Sequence, residues 1–235
     1  DRDFFGLGTT GSPATAPDAI AVGATTNAHV FGASMAVTSP AGLGRMPFVP
    51  SDTIPPSWLS SDQRLVDVGT INGVDRRLCS DSPALPSGSL RGAIALVSRG
   101  GCAHADKAER AAAAGASGVV VAENRPGDPS WAYLSGTDGG AVSDLDGQRL
   151  RAAAAGSGGS VRGRFSKNVL EVPTTWAGVP ASFSAGGLTA FGHQLKPDVT
   201  APGSQIISST LPEFAGDDYA VLDGTSFSGP HVAGL

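Results

Sequence analysis

A serine near the carboxyl end of the chain has neighbours that suit nucleophilic chemistry. Residues 224–234 read Gly-Thr-Ser-Phe-Ser-Gly-Pro-His-Val-Ala-Gly, so that Ser226 follows a glycine and precedes a stretch able to form a helix. Gly224 lets the backbone turn closely beside a ligand, and Pro230 presets a helical φ in what we expect to be the first turn. The unpaired N–H groups of that turn, including that of Ser226, can face an oxyanion, and the positive helix end favours negative charge there. The stretch predicts a serine at the mouth of a helix.

A serine hydroxyl is a weak nucleophile unless a histidine takes its proton and an acid orients that histidine. The chain has four histidines, and each is expected to be a structural or surface residue: His29, His104, His193 and His231. The last of these lies five residues beyond Ser226, where a helix turns its side chain away. Without a base, the alternative is that Ser226 only caps a helix.

The eleven-residue stretch resembles the nucleophile motif of the subtilisin-like serine peptidases (subtilases), usually Gly-Thr-Ser-Met-Ala-x-Pro-His-Val-Ala-Gly. Phe227 and Ser228 replace Met and Ala. The resemblance implies that Ser226 is the catalytic residue that forms an acyl-enzyme. It also implies that the catalytic Asp and His and the oxyanion Asn precede Asp1, so that these 235 residues are a piece of a longer polypeptide and inactive alone.

The first segment, residues 1–33, also resembles subtilases through Gly-x-Pro-(three residues)-Pro-x-x-Ile-x-Val-Gly-Ala. The resemblance implies a cis Ser12–Pro13 bond and a substrate-binding role, as part of the S1 pocket, for Gly11, Ser12, Pro13 and Ala14. The apolar run Ile20–Ala24 predicts a short buried strand. Taken alone, the segment would be an ordinary Pro/Gly loop before a strand.

Residues 168–235 contain further stretches similar to subtilases, and they end with the Ser226 motif. Residues 181–184 read Ala-Ser-Phe-Ser, and the resemblance implies that Phe183 lies on the leaving-group side of the cleft. Prolines confine residues 195–203 to short extended pieces, and residues 205–210 read as a strand. We expect Lys196 and Asp198 to form a surface ion pair of little energetic value.

The middle of the chain, residues 34–167, contains a strand–turn–helix–strand pattern. Ala93–Ser98 and Gly118–Ala122 are apolar and strand-like, and Ala103–Ala114 has high helix propensity and is followed by Gly115, a natural stop. This βαβ pattern predicts parallel strands with a right-handed crossover.

The stretch Leu90–Val121 resembles the protease-associated (PA) domain, a non-catalytic module often inserted in subtilases. The pattern is Gly-x-Ile-x-Leu-Val-x-Arg-Gly-x-Cys-x-x-x-x-Lys, followed after seven residues by Gly-Ala-x-Gly-Val. Arg99-Gly100-Gly101 before a helix could instead hold a phosphate, although the Lys-Ser/Thr ending of nucleotide motifs is absent. Cys102 could be a reactive thiol, but with Cys79 available we predict a structural disulfide, Cys79–Cys102.

Composition bounds the fold and the partners. The chain is 40% hydrophobic and only 16% charged, with 33 glycines, which favours short strands, tight turns and a buried core. The expected fold class is α/β: part of a subtilisin-like parallel-sheet catalytic domain interrupted by a β-rich α/β insert of the PA type. The net charge of −5 without a basic cluster argues against nucleic acid, and no apolar run is long enough for a membrane span.

Two hypotheses of function follow. In the first, the longer polypeptide to which these residues belong (the parent) is a secreted serine endopeptidase. It acts on protein or peptide substrates, and these residues assemble with the rest of its catalytic domain. In the second, the chain is a PA-type module that recruits protein substrates, or a pseudoprotease. No metal site and no cofactor are expected in these residues; calcium is possible in the longer polypeptide but is not indicated here, because Asp198 alone is not a calcium site. The even pair of cysteines fits an extracellular location.

Overall fold

The structure is a computed structural model that describes residues 8–52, 54–71, 73–130, 132–174, 176–181, 183–215 and 218–235. The start of the predicted first segment, residues 1–7, and Ser182 of the Ala-Ser-Phe-Ser stretch lie outside the described residues. The strands are β1 Val22–Thr25, β2 His29–Ser39, β3 Arg45–Pro47, β4 Val49–Pro50, β5 Gln63–Asp67, β6 Ile94–Ser98, β7 Gly118–Ala122, β8 Gly139–Val142, β9 Ser160–Pro173, β10 Gly187–Leu188, β11 Leu195–Lys196, β12 Val199–Pro202, β13 Ile206–Ser209 and β14 Tyr219–Leu222. The helices are α1 Pro56–Ser60, α2 His104–Ala113, α3 Asp144–Ala155, α4 Pro212–Ala215 and α5 Thr225–Ala233, and a 3₁₀ turn covers Val68–Thr70.

The chain divides into two compact units. The central unit is Gly32–Pro173, and the other, the terminal unit, combines residues 8–31 with Thr174–Leu235. The predicted division at 33/34 and 167/168 stays a prediction.

A mixed eight-stranded sheet forms the framework of the central unit. Its strand order is β3-β2-β9-β5-β6-β7-β8-β4. Strands β5 to β8 run parallel, whereas β9 and β4 pair antiparallel to β5 and β8 at either side of them. The predicted α/β class is therefore confirmed.

The inner strands of this sheet are buried on both faces, which explains their nearly continuous apolar sequences. Successive side chains of a strand point to opposite faces. Accordingly Ile94 and Leu96 of β6 join one hydrophobic cluster, together with Leu150 of α3. Ala95 and Val97 join a second cluster, which contains the inner face of α2. Each face of the sheet is thus covered by a helix.

The predicted βαβ unit is present. Strands β6 and β7 are parallel, with Ile94 opposite Gly118, and α2 connects them. The helix ends as the sequence predicts, because Gly115 adopts a φ of +89°. Its N–H donates to the carbonyl of Ala112, and the N–H of Ala116 donates to the carbonyl of Ala111, which satisfies the end of the helix.

The terminal unit is built around a parallel pair of strands. β1 pairs with β12 in the register Val22 to Val199, and α5 packs against both strands. Antiparallel pairs β10–β11 and β13–β14 complete the unit. As predicted, residues 195–203 form only short extended pieces and residues 205–210 contain a strand.

The first strand begins later than its apolar run predicts. Ile20 was expected in a buried strand but is 70% exposed and lies before β1. The reason is local: the N–H of Ala21 donates to the carboxylate of Asp198 instead of to a neighbouring strand, so regular pairing starts only at Val22.

Candidate functional site

Ser226 is the second residue of α5, and its side chain is exposed. The position has no carbonyl four residues earlier within the helix, so its N–H belongs to the unpaired first turn that the sequence predicts. The preceding Gly224 donates its N–H to the carbonyl of Gly203, just after β12, at 2.8 Å. This bond places the start of α5 at the carboxyl end of β12.

Close packing of small residues holds α5 against the two parallel strands. Ser228 is fully buried, and its Oγ donates to the carbonyl of Pro202 at 3.3 Å. A Cβ on Gly203 would lie 2.8 Å from the Cβ of Ala24 and 2.8 Å from the carbonyl oxygen of Gly224, and it would overlap Ser228 Oγ. Only glycine fits there. The buried Ser228 and the Gly203 backbone, which has no side chain, therefore set how closely α5 approaches β12.

Two residues of the motif, Gly224 and Pro230, differ in backbone and position from what the sequence predicts. Gly224 was expected to be needed for a close turn, but its φ of 166° is extended backbone that any residue adopts. The close approach occurs at Gly203 instead. Pro230 was expected in the first turn but is the sixth residue of α5, where its missing N–H leaves the carbonyl of Ser226 without the usual donor four residues on.

A side-chain network fixes the turn that leads into α5. Asp223 accepts hydrogen bonds from Ser204 Oγ at 2.8 Å and from the N–H of Gln205 at 2.7 Å. Asn27 Nδ2 donates to the carbonyl of Ser204 at 2.6 Å. These residues join the segment before Ser226 to the turn after β12. The sequence gives no signal for them, because their partners are distant along the chain.

The four histidines lie in different settings, and none of them makes a hydrogen bond to Ser226 within the described residues. His29 stacks edge-on with Phe31, with ring centroids 4.6 Å apart, and His193 occupies a turn with a φ of +49°. His104 begins α2 in the central unit, where burial lowers its pKa. His231 lies exposed in the last turn of α5. The catalytic role of Ser226, and the source of a base for it, therefore stay predictions.

The predicted substrate-binding residues form a turn ahead of β1. The Ser12–Pro13 bond is cis, as predicted, and the carbonyl of Pro13 accepts a hydrogen bond from Ala16. Gly11 and Ser12 are exposed and Ala14 is partly buried. No hydrogen bond between described residues joins Gly11, Ser12, Pro13 or Ala14 to α5, so their role in an S1 pocket stays a prediction.

The segment that contains Phe183 runs beside β1. The N–H of Ala24 donates to Ser184 Oγ at 3.0 Å, and the carbonyl of Ala24 accepts from Ala181 at 2.9 Å. Phe183 itself is 44% exposed. Its placement on the leaving-group side of a cleft is untested.

Lys196 and Asp198 are more than the surface pair that the sequence predicts. Lys196 is only 5% exposed, and its Nζ donates to Asp198 Oδ2 and to the carbonyl of Ala19, both at 2.8 Å. The same carboxylate accepts from the N–H of Ala21 at 2.7 Å. The hydrogen bonds from Lys196 and Ala21 hold the pKa of Asp198 below its ordinary value. The pair therefore ties the entry of β1 to the segment before β12.

In the central unit, the predicted disulfide joins Cys79 to Cys102. The Arg99-Gly100-Gly101 turn before α2 is occupied by protein groups: Arg99 pairs with the nearly buried carboxylate of Glu123 at 2.7 Å, and the carbonyl of Gly100 accepts from Lys107. Because Cys102 is bonded to Cys79, it is not a free thiol in this structure. Because Arg99 is paired with Glu123, its guanidinium is already engaged and does not favour the phosphate alternative.

The central unit also has a cavity of about 310 Å³ between the turn after β4 and the loop before β8. Among the residues that line it are Asp52, Tyr133 and Asp138.

Among the described residues, no group of three or more His, Cys, Asp or Glu side chains could hold a metal ion. Across the residues that the structure describes, no helix is long and apolar enough to cross a membrane.

The sequence matches the PA domain family over residues 63–158. C5a peptidase of Streptococcus pyogenes is 34% identical over 156 residues, which are 62% of this chain and 12% of that protein. The minor extracellular protease Vpr of Bacillus subtilis is 30% identical over 235 residues, and the PII-type proteinase of Lactococcus lactis subsp. cremoris is 27% identical over 241 residues. These alignments cover 96% and 100% of this chain but 26% and 12% of the relatives. The chain therefore spans about a quarter or less of the length of these curated relatives.

Solved structures with partial likeness include a zinc aminopeptidase from Bacillus subtilis, with a TM-score of 0.40, 17% identity and coverage of 65% of this chain and 33% of that one. A peptidase M28 precursor from Shewanella amazonensis has a TM-score of 0.39, 18% identity and coverage of 62% and 36%. Both TM-scores are low, so the likeness to these aminopeptidases supports no conclusion about mechanism. The family match and the curated relatives support a narrower one: the chain contains a PA domain and is related to proteases.

Proposed function

We propose that these residues belong to a secreted serine endopeptidase of the subtilisin type, with Ser226 as its nucleophile. The observation that carries the proposal is the position of Ser226, exposed in the first turn of a helix that is fixed at the carboxyl end of a parallel strand. The three relatives reported above support the proposal, because all three are named as peptidases, proteases or proteinases. One of them is named as an extracellular protease.

In the proposed reaction, a histidine outside these residues takes the proton of Ser226 as its oxygen attacks the carbonyl carbon of a peptide bond. The negative charge that forms on the carbonyl oxygen is stabilised by the N–H of Ser226 and by the positive end of α5. The histidine then passes its proton to the leaving amine, and water releases the acyl group by the same steps in reverse. Gly11, Ser12, Pro13 and Ala14 would contact the substrate side chain.

The 235 residues alone should be inactive, because none of the four histidines makes a hydrogen bond to Ser226 in the described part of the chain. The proposed base, acid and oxyanion amide must come from elsewhere in a longer polypeptide. No cofactor is needed for this chemistry, since all steps are proton transfers and acyl transfers.

A fluorophosphonate probe tests the role of Ser226. In a longer polypeptide that contains these residues and the upstream catalytic segment, the probe should label Ser226, and Ser226→Ala should abolish both labelling and peptide hydrolysis. Ser209→Ala is the matched control, because this exposed hydroxyl of the same unit lies on β13, away from the start of α5, and it should leave the labelling of Ser226 in place.

Retained hydrolysis in Ser226→Ala would contradict the proposal. Labelling of Ser226 in the 235 residues alone would show that one of their own histidines acts as the base.

A second candidate function, recognition of protein substrates by the PA domain, is favoured by the cavity that contains Asp52, Tyr133 and Asp138. It becomes the better account if the longer polypeptide binds proteins but neither reacts with the probe nor cleaves peptides.

A further inference from the structure

A buried lysine lies directly against the disulfide of the central unit. Lys107 of α2 is fully buried, and its Nζ donates to the carbonyls of Arg77 and Gly100, each at 2.6 Å. The same Nζ is 3.4 Å from the Sγ atoms of both Cys79 and Cys102. An ammonium group thus contacts both sulfurs of the bridge.

One of the hydrogen bonds of this ammonium is weak while the disulfide is intact, because its acceptors are sulfur atoms. The group has three protons, two carbonyls accept two of them, and the third faces the two sulfurs. Sulfur in a neutral group is a weak acceptor, whereas an anion accepts a charge-assisted bond about twice as strong as a neutral one. A thiolate at either sulfur would therefore satisfy Lys107 better than the disulfide does.

The two sulfurs differ in how easily an external reagent can reach them. Cys79 is only 4% exposed, while Cys102 is partly exposed and lies between exposed residues Gly101 and Ala103. An incoming thiolate can approach Cys102, which makes Cys79 the leaving group. That leaving sulfur is the buried one, where Lys107 is closest to a charge shielded from water.

The other charges near Lys107 are more exposed. Arg77 adds a second positive charge and is paired with Asp75 at 2.8 Å and with Asp81 at 3.6 Å. The side chains of these two acids are 41% and 66% exposed, and Asp106 is exposed as well. Solvent screens the exposed acids, so the direct contact with Lys107 dominates. Burial lowers the pKa of Lys107 to about 8, so most of the ammonium is still present at pH 7.

From this geometry, we propose that the Cys79–Cys102 bridge is a site of thiol–disulfide exchange with external dithiols, opened at Cys102 and promoted by Lys107. A thiolate of the dithiol attacks Cys102 Sγ, the S–S bond breaks, and its electron pair leaves on Cys79 Sγ beside Lys107. The second thiol of the reagent, after losing its proton, displaces Cys102 from the mixed disulfide. In total, two electrons and two protons pass from the dithiol to the two cysteines, and the dithiol becomes a disulfide.

The first test is an equilibrium titration of the 235-residue chain in mixtures of reduced and oxidised dithiothreitol, with free thiols counted by alkylation and mass spectrometry. Lys107→Met removes the ammonium and keeps an unbranched side chain. It should lower the equilibrium constant for reduction at least tenfold, which is about 30 mV for a two-electron couple. Lys167→Met, at an exposed lysine of the same unit, should leave the constant unchanged. An unchanged or larger constant in Lys107→Met would overturn the proposal.

The second test leaves Lys107 in place, so it does not depend on the folding of that variant. In Cys102→Ala, Cys79, the leaving sulfur, is the only thiol, and the ultraviolet absorbance of its thiolate as a function of pH gives its pKa. We expect a pKa at least one unit below the ordinary value of about 8.5. A pKa at or above that value would show that Lys107 does not stabilise the thiolate, and that the bridge is an inert structural link.

Discussion

Gly203 and Ser228 determine how closely the helix that carries Ser226 can approach β12. A side chain at Gly203 would meet backbone and short side-chain atoms that have little freedom to move: Ala24 Cβ, the Gly224 carbonyl oxygen and Ser228 Oγ. The exposed serine is therefore positioned from behind, by residues that the substrate would not touch.

Gly203→Ala should destabilise this packing by about 1–3 kcal/mol, the usual cost of overfilling a tight site. The expected result is at least roughly tenfold faster amide hydrogen exchange across α5, measured by mass spectrometry. Gly229→Ala is the control: no atom lies within 4 Å of its added Cβ, and alanine favours a helix over glycine by about 0.5–1 kcal/mol. Equal exchange rates in the two variants would contradict this account of the packing.

At the scale of single residues, the sequence predicts that Ser226 lies at the start of a helix, that Cys79 and Cys102 are bonded and that the Ser12–Pro13 bond is cis. Each of these follows from a local pattern or a family motif. It does not predict Gly203, Asn27 or Asp223. Their partners lie elsewhere in the fold, so no local spacing shows their role. Pro230 was placed wrongly because the motif does not show where the first turn ends.

Among the elements, β1 depends on a charged pair at its entrance. Lys196 and Asp198 contact the backbone on either side of Ile20, through the carbonyl of Ala19 and the N–H of Ala21. These contacts take the place of strand pairing just before β1 begins, which is why the strand starts later than its apolar sequence predicts.

Asp198→Asn should weaken the start of β1 at neutral pH, because a charged acceptor is replaced by a neutral one. The folded state lowers the pKa of Asp198. Its contribution to stability is therefore present above the unfolded pKa of about 3.9 and is lost as the pH falls through the lower folded pKa. Hydrogen exchange at the amides of β1 should be faster in the variant at pH 7.

The difference between the two proteins should begin to shrink below about pH 4, where Asp198 of the unfolded chain takes up a proton, and it should vanish once the pH is below the lower pKa of the folded state. Asp18→Asn, at an exposed carboxylate in the preceding turn, should match the unchanged chain at all pH values. A difference that persists at low pH would mean that packing, and not the charge of Asp198, supports the strand.

The sequence predicts elements best where neighbours in the chain are neighbours in the sheet. β6, α2 and β7 form one continuous βαβ unit, and both strands and the helix end are where the pattern places them. The pairings of β9 with β5 and of β4 with β8 join distant segments, and hydrophobic periodicity does not specify which distant strand will be the partner.

On the scale of the whole molecule, the features that stabilise the central unit all lie within that unit. Both hydrophobic clusters, the helices that cover the sheet and the Cys79–Cys102 bridge all lie within Gly32–Pro173. The terminal unit, in contrast, has many large apolar side chains at its surface, among them Phe191 at 93% and Leu195 at 76% exposed.

A polypeptide of residues 32–173 should therefore fold alone, with a cooperative thermal transition in circular dichroism and the disulfide intact by mass under non-reducing conditions. Trp58→Ala supplies the comparison, since this side chain is 2% exposed and its loss should cost about 3–5 kcal/mol. A featureless thermal profile for the unchanged polypeptide would show that the unit needs the rest of the chain.

The parallel pair β1–β12 joins segments that lie on either side of the entire central unit in the sequence. On a ribosome, β1 therefore emerges before the central unit and must wait until residue 202 has been made before its partner exists. At ~5–20 residues per second, the intervening residues take on the order of ten seconds or more to synthesise. During that time the central unit can fold while β1 remains unpaired. The order of assembly is thus determined by the direction of translation, and the helix that carries Ser226 is completed only after the central unit and both strands of the pair have been made.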